Sequence, residues 1–196
     1  MDAERFRRVI ERIDALNSQD PNTEMVNGVG VARELLYSQR VTDWVLRLNP
    51  SASEELRVAA RGQHVCRWTI SRDRYERNRR GYLQWREALK AFHAQRVGEL
   101  MREVGYPGET IQRVQAIMSK RQLGTDADTQ TLEDALCLVF LETQFADLRR
   151  KTPDDTMQEI VRKTWRKMSE QGRHAALQVS WDEAGKQWLR HALSAG

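Results

Sequence analysis

Residues 131–141 read TLEDALCLVFL, and this stretch decides the fold. After its acidic pair the run is apolar at every position, so a helix formed by it has no polar side to turn toward water. Such a helix lies at the centre of a protein with other helices around it. We therefore predict a central helix over about 131–150, capped by Thr129 or Thr131.

The flanking segments carry the 3.6-residue period of amphipathic helices. Residues 3–17, 31–48 and 80–104 each place apolar side chains three and four positions apart on one face. Residues 18–29 break this pattern and are predicted to be a loop, and no segment alternates as a strand would. We therefore predict an all-α fold, a single compact domain over 1–196 with about eight helices.

Capping signals predict where two further helices begin. Ser51 is followed three positions later by Glu54, the spacing of a capping box, so a helix is expected from there to about Trp68. The run Thr152-Pro153-Asp154-Asp155 combines a cap, a first-turn proline and acids that favour the helix dipole. The helix that follows it is expected to reach about Gly172.

The composition is that of a soluble globular protein, with 40% hydrophobic and 31% charged residues among 196. No apolar run is long enough to span a membrane, and residues 1–6 lack the apolar segment of a signal peptide. Cys66 and Cys137 lie among apolar or aromatic residues, which predicts buried thiols rather than a disulfide. We expect a cytoplasmic protein with no membrane partner.

The net charge is only +4, but the basic residues are unevenly distributed. Residues 67–80 contain six arginines against two acidic side chains. Guanidinium groups match the oxygens of phosphate, so Arg67, Arg72, Arg79 and Arg80 are candidates to bind an anionic substrate. The alternative is a solvated arginine-rich loop, which is the usual role of a charge cluster.

Two of the four histidines fall on helical patterns whose neighbours are mostly apolar. His64 follows the small residues of the segment 59–62, which would let another helix approach closely. His93 lies at the edge of an apolar stripe. Each is a candidate metal ligand or proton-transfer group, and each, taken alone, is more often a structural hydrogen-bonding residue.

Three acidic residues are candidates for the same site. Glu133 and Asp134 open the central helix, where the helix dipole alone would favour them, yet the turns that follow are wholly apolar. That arrangement suggests a helix end that points into a pocket. Glu34 lies on an early helix, where it could orient a histidine or could equally pair with a neighbouring arginine at the surface.

Several common site types are missing from the sequence. It has no glycine-rich phosphate loop in a strand-to-helix context, no Cys-x-x-Cys pair and no His-Glu-x-x-His motif. Glu-x-x-His pairs and a nucleophile-elbow serine are also missing. These absences argue against nucleotide-binding, zinc-ribbon, ferritin-like and α/β-hydrolase chemistry.

Motifs spread over nearly the whole chain resemble the uncharacterised all-helical family catalogued as domain of unknown function 4202. They are Glu34-Leu35-Leu36-Tyr37-Ser38-Gln39-Arg40-Val41, Ala59-Ala60-Arg61-Gly62-Gln63-His64, Arg67-Trp68, Gly81-Tyr82-Leu83-Gln84-Trp85-Arg86, Phe92-His93, Thr131-Leu132-Glu133-Asp134-Ala135 and Arg162-Lys163-Thr164-Trp165-Arg166-Lys167-Met168-Ser169. The resemblance implies a helical fold but no established activity.

A more distant similarity is to the HD superfamily of metal-dependent phosphohydrolases. That superfamily presents a histidine on one helix, a His-Asp pair at the end of the next and an aspartate on a later helix. The resemblance carries His64 and Asp134 over as metal ligands, with His93 as a third. Tyr37 stands where the first histidine is expected, and Val65 where the paired aspartate is expected.

These observations give a leading hypothesis of an HD-like, metal-dependent hydrolase for a small phosphorylated or otherwise anionic compound. His64, His93 and Asp134 would hold a divalent metal such as Mn²⁺, Fe²⁺ or Ni²⁺. Gln63, Glu133 or Glu34 would position the attacking water. The metal would activate that water, and the arginines would bind the anion.

The rival hypothesis is a non-catalytic helical module that recognises an anionic partner such as RNA or an acidic protein. It would use the arginine-rich segment and the basic face of the helix over 157–171. The small net charge favours a local anion site over extended nucleic-acid binding.

Overall fold

The computed structural model of the chain describes residues 2–181 and 183–194, and most of them are helical. Ten α-helices lie within these residues, and longer segments connect α1 to α2 and α3 to α4. They are α1 (Ala3–Asn17), α2 (Arg33–Leu48), α3 (Glu54–Gly62), α4 (Arg79–Glu103), α5 (Gly108–Met118), α6 (Ala127–Thr143), α7 (Phe145–Lys151), α8 (Asp154–Lys167), α9 (Glu170–Gln178) and α10 (Glu183–Ser194). The all-α prediction is confirmed, with more and shorter helices than expected.

Helix α6 is the centre of the structure, as its sequence predicts. It packs against α2, α3, α5, α7, α8 and α9. Residues 132–135 and 137–139 are buried in succession, so buried positions occur around most of the helix. Because neighbours cover it on most of its circumference, its apolar residues contribute to one continuous core that extends from Val9 to Leu189.

Small residues allow α3 to approach its neighbours closely. Val58, Ala59 and Ala60 are fully buried in succession, so this part of α3 is covered on most sides, with only Arg57 and Arg61 partly exposed. Gly62 lies directly against the side chain of Val97 on α4. The close helix approach predicted from residues 59–62 is thus present, and it fixes where the chain leaves α3 toward His64.

The central helix begins and ends earlier than predicted. Asp126 is its N-cap, and its carboxylate accepts hydrogen bonds from the backbone N–H (2.8 Å) and the hydroxyl (2.6 Å) of Thr129. The predicted threonine caps are therefore wrong, because an acidic side chain one turn earlier takes that role. The helix ends at Thr143, and the chain then turns so that Phe145 packs edge-on against Trp181 and Trp188.

Two other helix boundaries differ from prediction because a nearer capping serine is used. Ser53, not Ser51, caps α3 by accepting from the backbone N–H of Leu56 at 3.1 Å. The helix expected to reach Gly172 is divided in two, and Ser169 caps the second part, α9. Each cap satisfies a backbone donor that the start of a helix leaves unpaired.

Helix α3 also stops well before the predicted position near Trp68. The chain leaves the helix after Gly62 and passes through Cys66, which adopts a left-handed conformation with φ of 54°. Two short 3₁₀ turns then cross the arginine-rich segment at 67–69 and 72–74. This exit puts His64 at the end of a buried helix instead of inside a longer one.

The segment predicted to be a loop contains a β-hairpin. Strands β1 (Thr23–Val26) and β2 (Val29–Ala32) pair antiparallel, with Thr23 opposite Ala32. Asn27 and Gly28 join them with φ values of 50° and 81°, the conformation of a type I′ turn. The prediction of no strand was wrong because each strand has only four residues, too few to show alternation.

Cys66 and Cys137 are buried free thiols, as predicted. Among the helices that the structure describes, none combines the length and the apolar character needed to cross a membrane.

Replacement of Gly62 by alanine tests the close contact between α3 and α4. A Cβ at this position would overlap a methyl group of Val97. We expect Gly62→Ala to lower the free energy of unfolding by about 1–3 kcal/mol, the usual cost of overpacking a core. Urea unfolding measures this change.

Gly30→Ala is the matched control, because a Cβ there would lie 3.8 Å from Thr23 Cβ, an ordinary contact. A Gly62→Ala protein as stable as the Gly30→Ala protein would contradict the close packing.

Candidate functional site

Three adjoining cavities meet at His64, and we refer to them together as the cleft. Their volumes are about 650, 420 and 540 Å³, and the side chain of His64 lines all three. We name them the hairpin cavity, the α4 cavity and the α8 cavity after the element that distinguishes each. Their walls come from helices α2, α4, α6, α7 and α8, so the cleft lies where the ends of several elements converge.

His64 is held in one orientation by two residues of α2. Its Nδ1 lies 3.0 Å from Oε2 of Glu34, whose side chain is 7% exposed. The ring of Tyr37, one turn further along, stacks on the imidazole at 4.1 Å with an angle of 7° between planes. Since a carboxylate only accepts hydrogen bonds, Nδ1 carries the proton and donates it to Glu34. Nε2 is then the acceptor nitrogen.

The environment keeps the His64 imidazole neutral. Burial lowers the pKa of His64, and the hydrogen bond and negative charge of Glu34 oppose that effect only in part. Arg67 adds to the lowering, with its guanidinium 3.7 Å from Oε1 of Glu34. A neutral imidazole with a fixed Nδ1–H and a free Nε2 lone pair is suited to accept a proton.

His93 lies beside His64, with the ring centroids 5.7 Å apart. Its Nδ1–H donates to the backbone carbonyl of Val65 at 2.9 Å, and the residue is 4% exposed. Burial is the main cause that lowers the pKa of His93 to about 3, and the neighbouring side chains of His64 and Arg67 act in the same direction. His93 Nε2 and the buried Oε1 of Gln63 have no hydrogen-bond partner among the described residues. Both side chains line the α4 cavity.

Glu133 is buried in the cleft between two lysines. Lys120 is paired with its Oε2, and Lys167 Nζ lies 3.5 Å from its Oε1. Burial alone would raise the pKa of the Glu133 carboxyl, but the two lysines outweigh burial and lower it. Lys120 adopts a left-handed conformation with φ of 55°, which is uncommon for a residue with a side chain. The carboxylate is therefore ionised, and the group of three carries a net positive charge.

Asp134 does not join the two histidines. Its carboxylate accepts hydrogen bonds from the backbone N–H of Ser169 at 2.8 Å and from the Ser169 hydroxyl at the start of α9. Gln130 donates to it at 3.0 Å and also to the backbone carbonyl of Lys167 at 2.9 Å. Asp134 thus fixes where α8 ends and α9 begins, and so helps to place Lys167.

The predicted metal ligands are therefore not assembled. His64 and His93 are neighbours, but the third predicted ligand faces another part of the core. In residues 2–181 and 183–194, no group of three or more His, Cys, Asp or Glu side chains is arranged to hold a metal ion. These side chains by themselves do not form a complete set of ligands for the predicted ion.

The predicted arginine clamp is only partly in the cleft. Arg67 lines it and lies over the ring of Trp85 at 4.9 Å. Arg72 instead donates to the backbone carbonyls of residues 75, 76 and 78, so it holds its own loop together. Arg79 and Arg80 are the first residues of α4, and neither is among the described residues that line the three cavities.

Comparison with known families agrees with the motifs found in the sequence. The chain matches the family described as a domain of unknown function (DUF4202) over residues 7–188. It belongs to that family. No curated protein and no solved structure gives a significant match to the chain.

In this DUF4202 member, the sequence alone did not identify three cations of the cleft. Lys120, Lys167 and Arg86 lie on separate elements and line both the α4 and the α8 cavity. Lys167 belongs to the predicted basic face of the helix over 157–171, which the sequence favours only as a surface for a macromolecule. Lys120 follows the end of a helix and carries no sequence signal, because its left-handed conformation is visible only in the structure.

Acid titration tests the environment of His93 in this DUF4202 protein. Below pH 6.5 the unfolded chain takes up a proton at this position, whereas the folded protein resists protonation until about pH 3. Stability is therefore present above 6.5 and is lost as the pH falls. We expect the contribution of His93 to decrease by about 2 kcal/mol between pH 8 and pH 5.

His93→Asn is the informative variant, because its amide can still donate to Val65 but cannot titrate. Urea unfolding at pH 8 and pH 5 should show a smaller loss of stability than in the parent. His174→Asn, at an exposed position, serves as the control and should behave like the parent. An unchanged pH dependence in His93→Asn would show that the imidazole is not held neutral.

Proposed function

We propose that the protein hydrolyses a small phosphorylated compound and that His64 is the general base. The observation that carries the proposal is the oriented pair of Glu34 and His64 at the meeting point of the three cavities, beside a cationic wall. Nucleophile-activating histidines in many enzymes are oriented by a carboxylate on the other ring nitrogen in this way. The family description gives no activity, so the support comes from the arrangement of Glu34 and His64 and from the charge of the cleft.

The charge of the cleft favours an anionic ligand. The α8 cavity is lined by the four cations Arg86, Lys120, Lys163 and Lys167 and by one carboxylate, Glu133. Lys163 is paired with Glu159 outside the cavity, and Glu133 neutralises one further charge. The cations that remain can bind phosphate oxygens through charge-assisted hydrogen bonds, which are about twice as strong as neutral ones.

The proposed hydrolysis uses groups that line one cavity. The phosphate would bind at Lys120 and Lys167, in the cavity that His64 also lines. Nε2 of His64 accepts a proton from water as the water oxygen attacks phosphorus and the phosphorus–oxygen ester bond breaks. The departing alcohol oxygen, on the opposite side of phosphorus, takes a proton from solvent, and the imidazolium returns its own proton to solvent, so an alcohol and inorganic phosphate are released. Glu34 stabilises the imidazolium while it exists.

The rigidity of the pair contributes to this chemistry. Stacking on Tyr37 and the hydrogen bond to Glu34 leave the imidazole little freedom to rotate. A base that is already oriented does not lose rotational entropy as the reaction proceeds. The Mn²⁺, Fe²⁺ or Ni²⁺ expected from the sequence stays a prediction. His64 and His93 are the imidazoles that would have to supply its nitrogen ligands.

Replacement of His64 tests the proposed base. His64→Asn keeps a donor to Glu34 but removes the acceptor nitrogen in the cleft. We expect the release of inorganic phosphate from a panel of phosphate monoesters to fall by about 10²–10⁴-fold, the usual contribution of a general base. Binding of inorganic phosphate should remain within about threefold of the parent value, because the lysines are untouched.

Two results would contradict the proposal. One is undiminished phosphate release by His64→Asn, with His174→Asn as the matched control. The other is a parent protein that releases no phosphate, whether a chelator or Mn²⁺ is added, and that binds RNA with a salt-dependent affinity unchanged in His64→Asn. The second result would favour the anionic-partner module over the hydrolase.

Glu34→Gln separates orientation of the imidazole from proton acceptance. The amide can present its oxygen to Nδ1–H but carries no charge to stabilise the imidazolium. We expect phosphate release to fall by about 10-fold or more with a smaller change in substrate KM, because loss of a charged hydrogen-bond partner costs about 1.5–3 kcal/mol. Steady-state kinetics checks this, and a change confined to KM would contradict the role assigned to Glu34.

A further inference from the structure

The α8 cavity has an apolar wall that the proposed hydrolysis does not use. The cations Arg86, Lys120, Lys163 and Lys167 line this cavity, as do His64 and Tyr37. The apolar side chains of the cavity come from α6, α7 and α8. They are Leu136, Phe140, Leu148 and Ile160.

The contribution of α6 to this wall is distinctive. In the run 135–141 every residue is buried except Leu136 and Phe140, which are half-buried and lie one helical turn apart. Elsewhere in this run the helix is covered by its neighbours. Ile160 on α8 and Leu148 on α7 are likewise half-buried and line the same cavity. Apolar surface is thus left accessible at this one place along the central run.

The size of the cavity suggests a ligand larger than phosphate. Its volume of about 540 Å³ lies within the range of about 300–1,000 Å³ found for pockets that bind whole small molecules. Lys120 and Lys167 are paired with Glu133, so their positive charge lies near the part of α6 that precedes Leu136. Leu136 and Phe140 lie further along the same helix. A ligand would therefore have an anionic end and an apolar end.

We infer that the substrate is a phosphate monoester of an apolar alcohol, with an aryl or branched alkyl group held against Leu136, Phe140 and Ile160. This inference depends on the proposed function for the reaction and adds the chemical class of the substrate. The phosphate binds at Lys120 and Lys167, next to His64, and the apolar group lies along α6. A hydroxyl group held against these apolar side chains would lose its hydrogen bonds to water without gaining new ones.

Non-hydrolysable phosphonates test the inference separately from catalysis. Isothermal titration calorimetry with phenylphosphonate and methylphosphonate compares two ligands with the same anionic group. Burial of a phenyl ring against the apolar wall should make phenylphosphonate bind on the order of 10-fold more tightly or better. Phenylphosphonate that binds no more tightly than methylphosphonate, or no binding of either, would overturn the inference.

Variants then locate the preference. Phe140→Ala should reduce the preference for phenylphosphonate by several-fold while leaving methylphosphonate affinity near that of the parent. Ile160→Ala, on the opposite helix, is a second variant in case the first does not fold. Leu177→Ala is the matched control, since Leu177 is an exposed leucine, at 55%, on α9. If Phe140→Ala and Ile160→Ala both fold and both keep the parent's full preference for phenylphosphonate, these side chains do not bind the apolar group and the inference is overturned.

The two proposals can fail independently. If the parent hydrolyses no ester but keeps its preference for phenylphosphonate, the proposed hydrolysis fails and the inferred ligand class stands. If it releases phosphate from phenyl phosphate and glycerol phosphate at equal rates and binds both phosphonates equally, the hydrolysis stands and the inferred ligand class is wrong.

Discussion

The structure depends on one constraint, which is that helix α6 is apolar on nearly every side and must be enclosed. Six helices pack around it, and this enclosure buries the acidic pair in the middle of the helix as well. Glu133 and Asp134 are 3% and 2% exposed. A buried carboxylate is costly unless it is paired or hydrogen-bonded, so each must find partners from elements that are distant in sequence.

The partners of the two acids organise the rest of the cleft. Asp134 accepts hydrogen bonds from Ser169 at the start of α9 and from Gln130. Gln130 also donates to the backbone carbonyl of Lys167 at the end of α8. Glu133 forms ion pairs with the ammonium groups of Lys120 and Lys167. The two adjacent residues therefore have different roles. Asp134 is a structural residue that positions a neighbouring helix, while Glu133 holds a cationic wall beside His64.

The sequence predicted the parts of this account that depend on local patterns. The apolar run predicted the central helix, the small residues before His64 predicted a close helix approach, and Glu34 was a candidate to orient a histidine. The role of Asp134 was not predictable, because its partner Ser169 is 35 residues away and both residue types suit many helix starts. In the sequence Tyr37 is only a departure from the ligand pattern of the HD superfamily, and its stacking on His64 requires the three-dimensional structure.

The central claim is that an anion bound at Lys120 reaches His64. The most direct test is the ¹⁵N NMR spectrum of the histidine side chains during a titration with inorganic phosphate, for the parent and for Lys120→Met. The account predicts saturable shifts of the His64 ring nitrogens in the parent, at least 10-fold weaker saturation in the variant, and no shift of His174. A His64 that shifts no more than His174, or a variant that saturates like the parent, would contradict it.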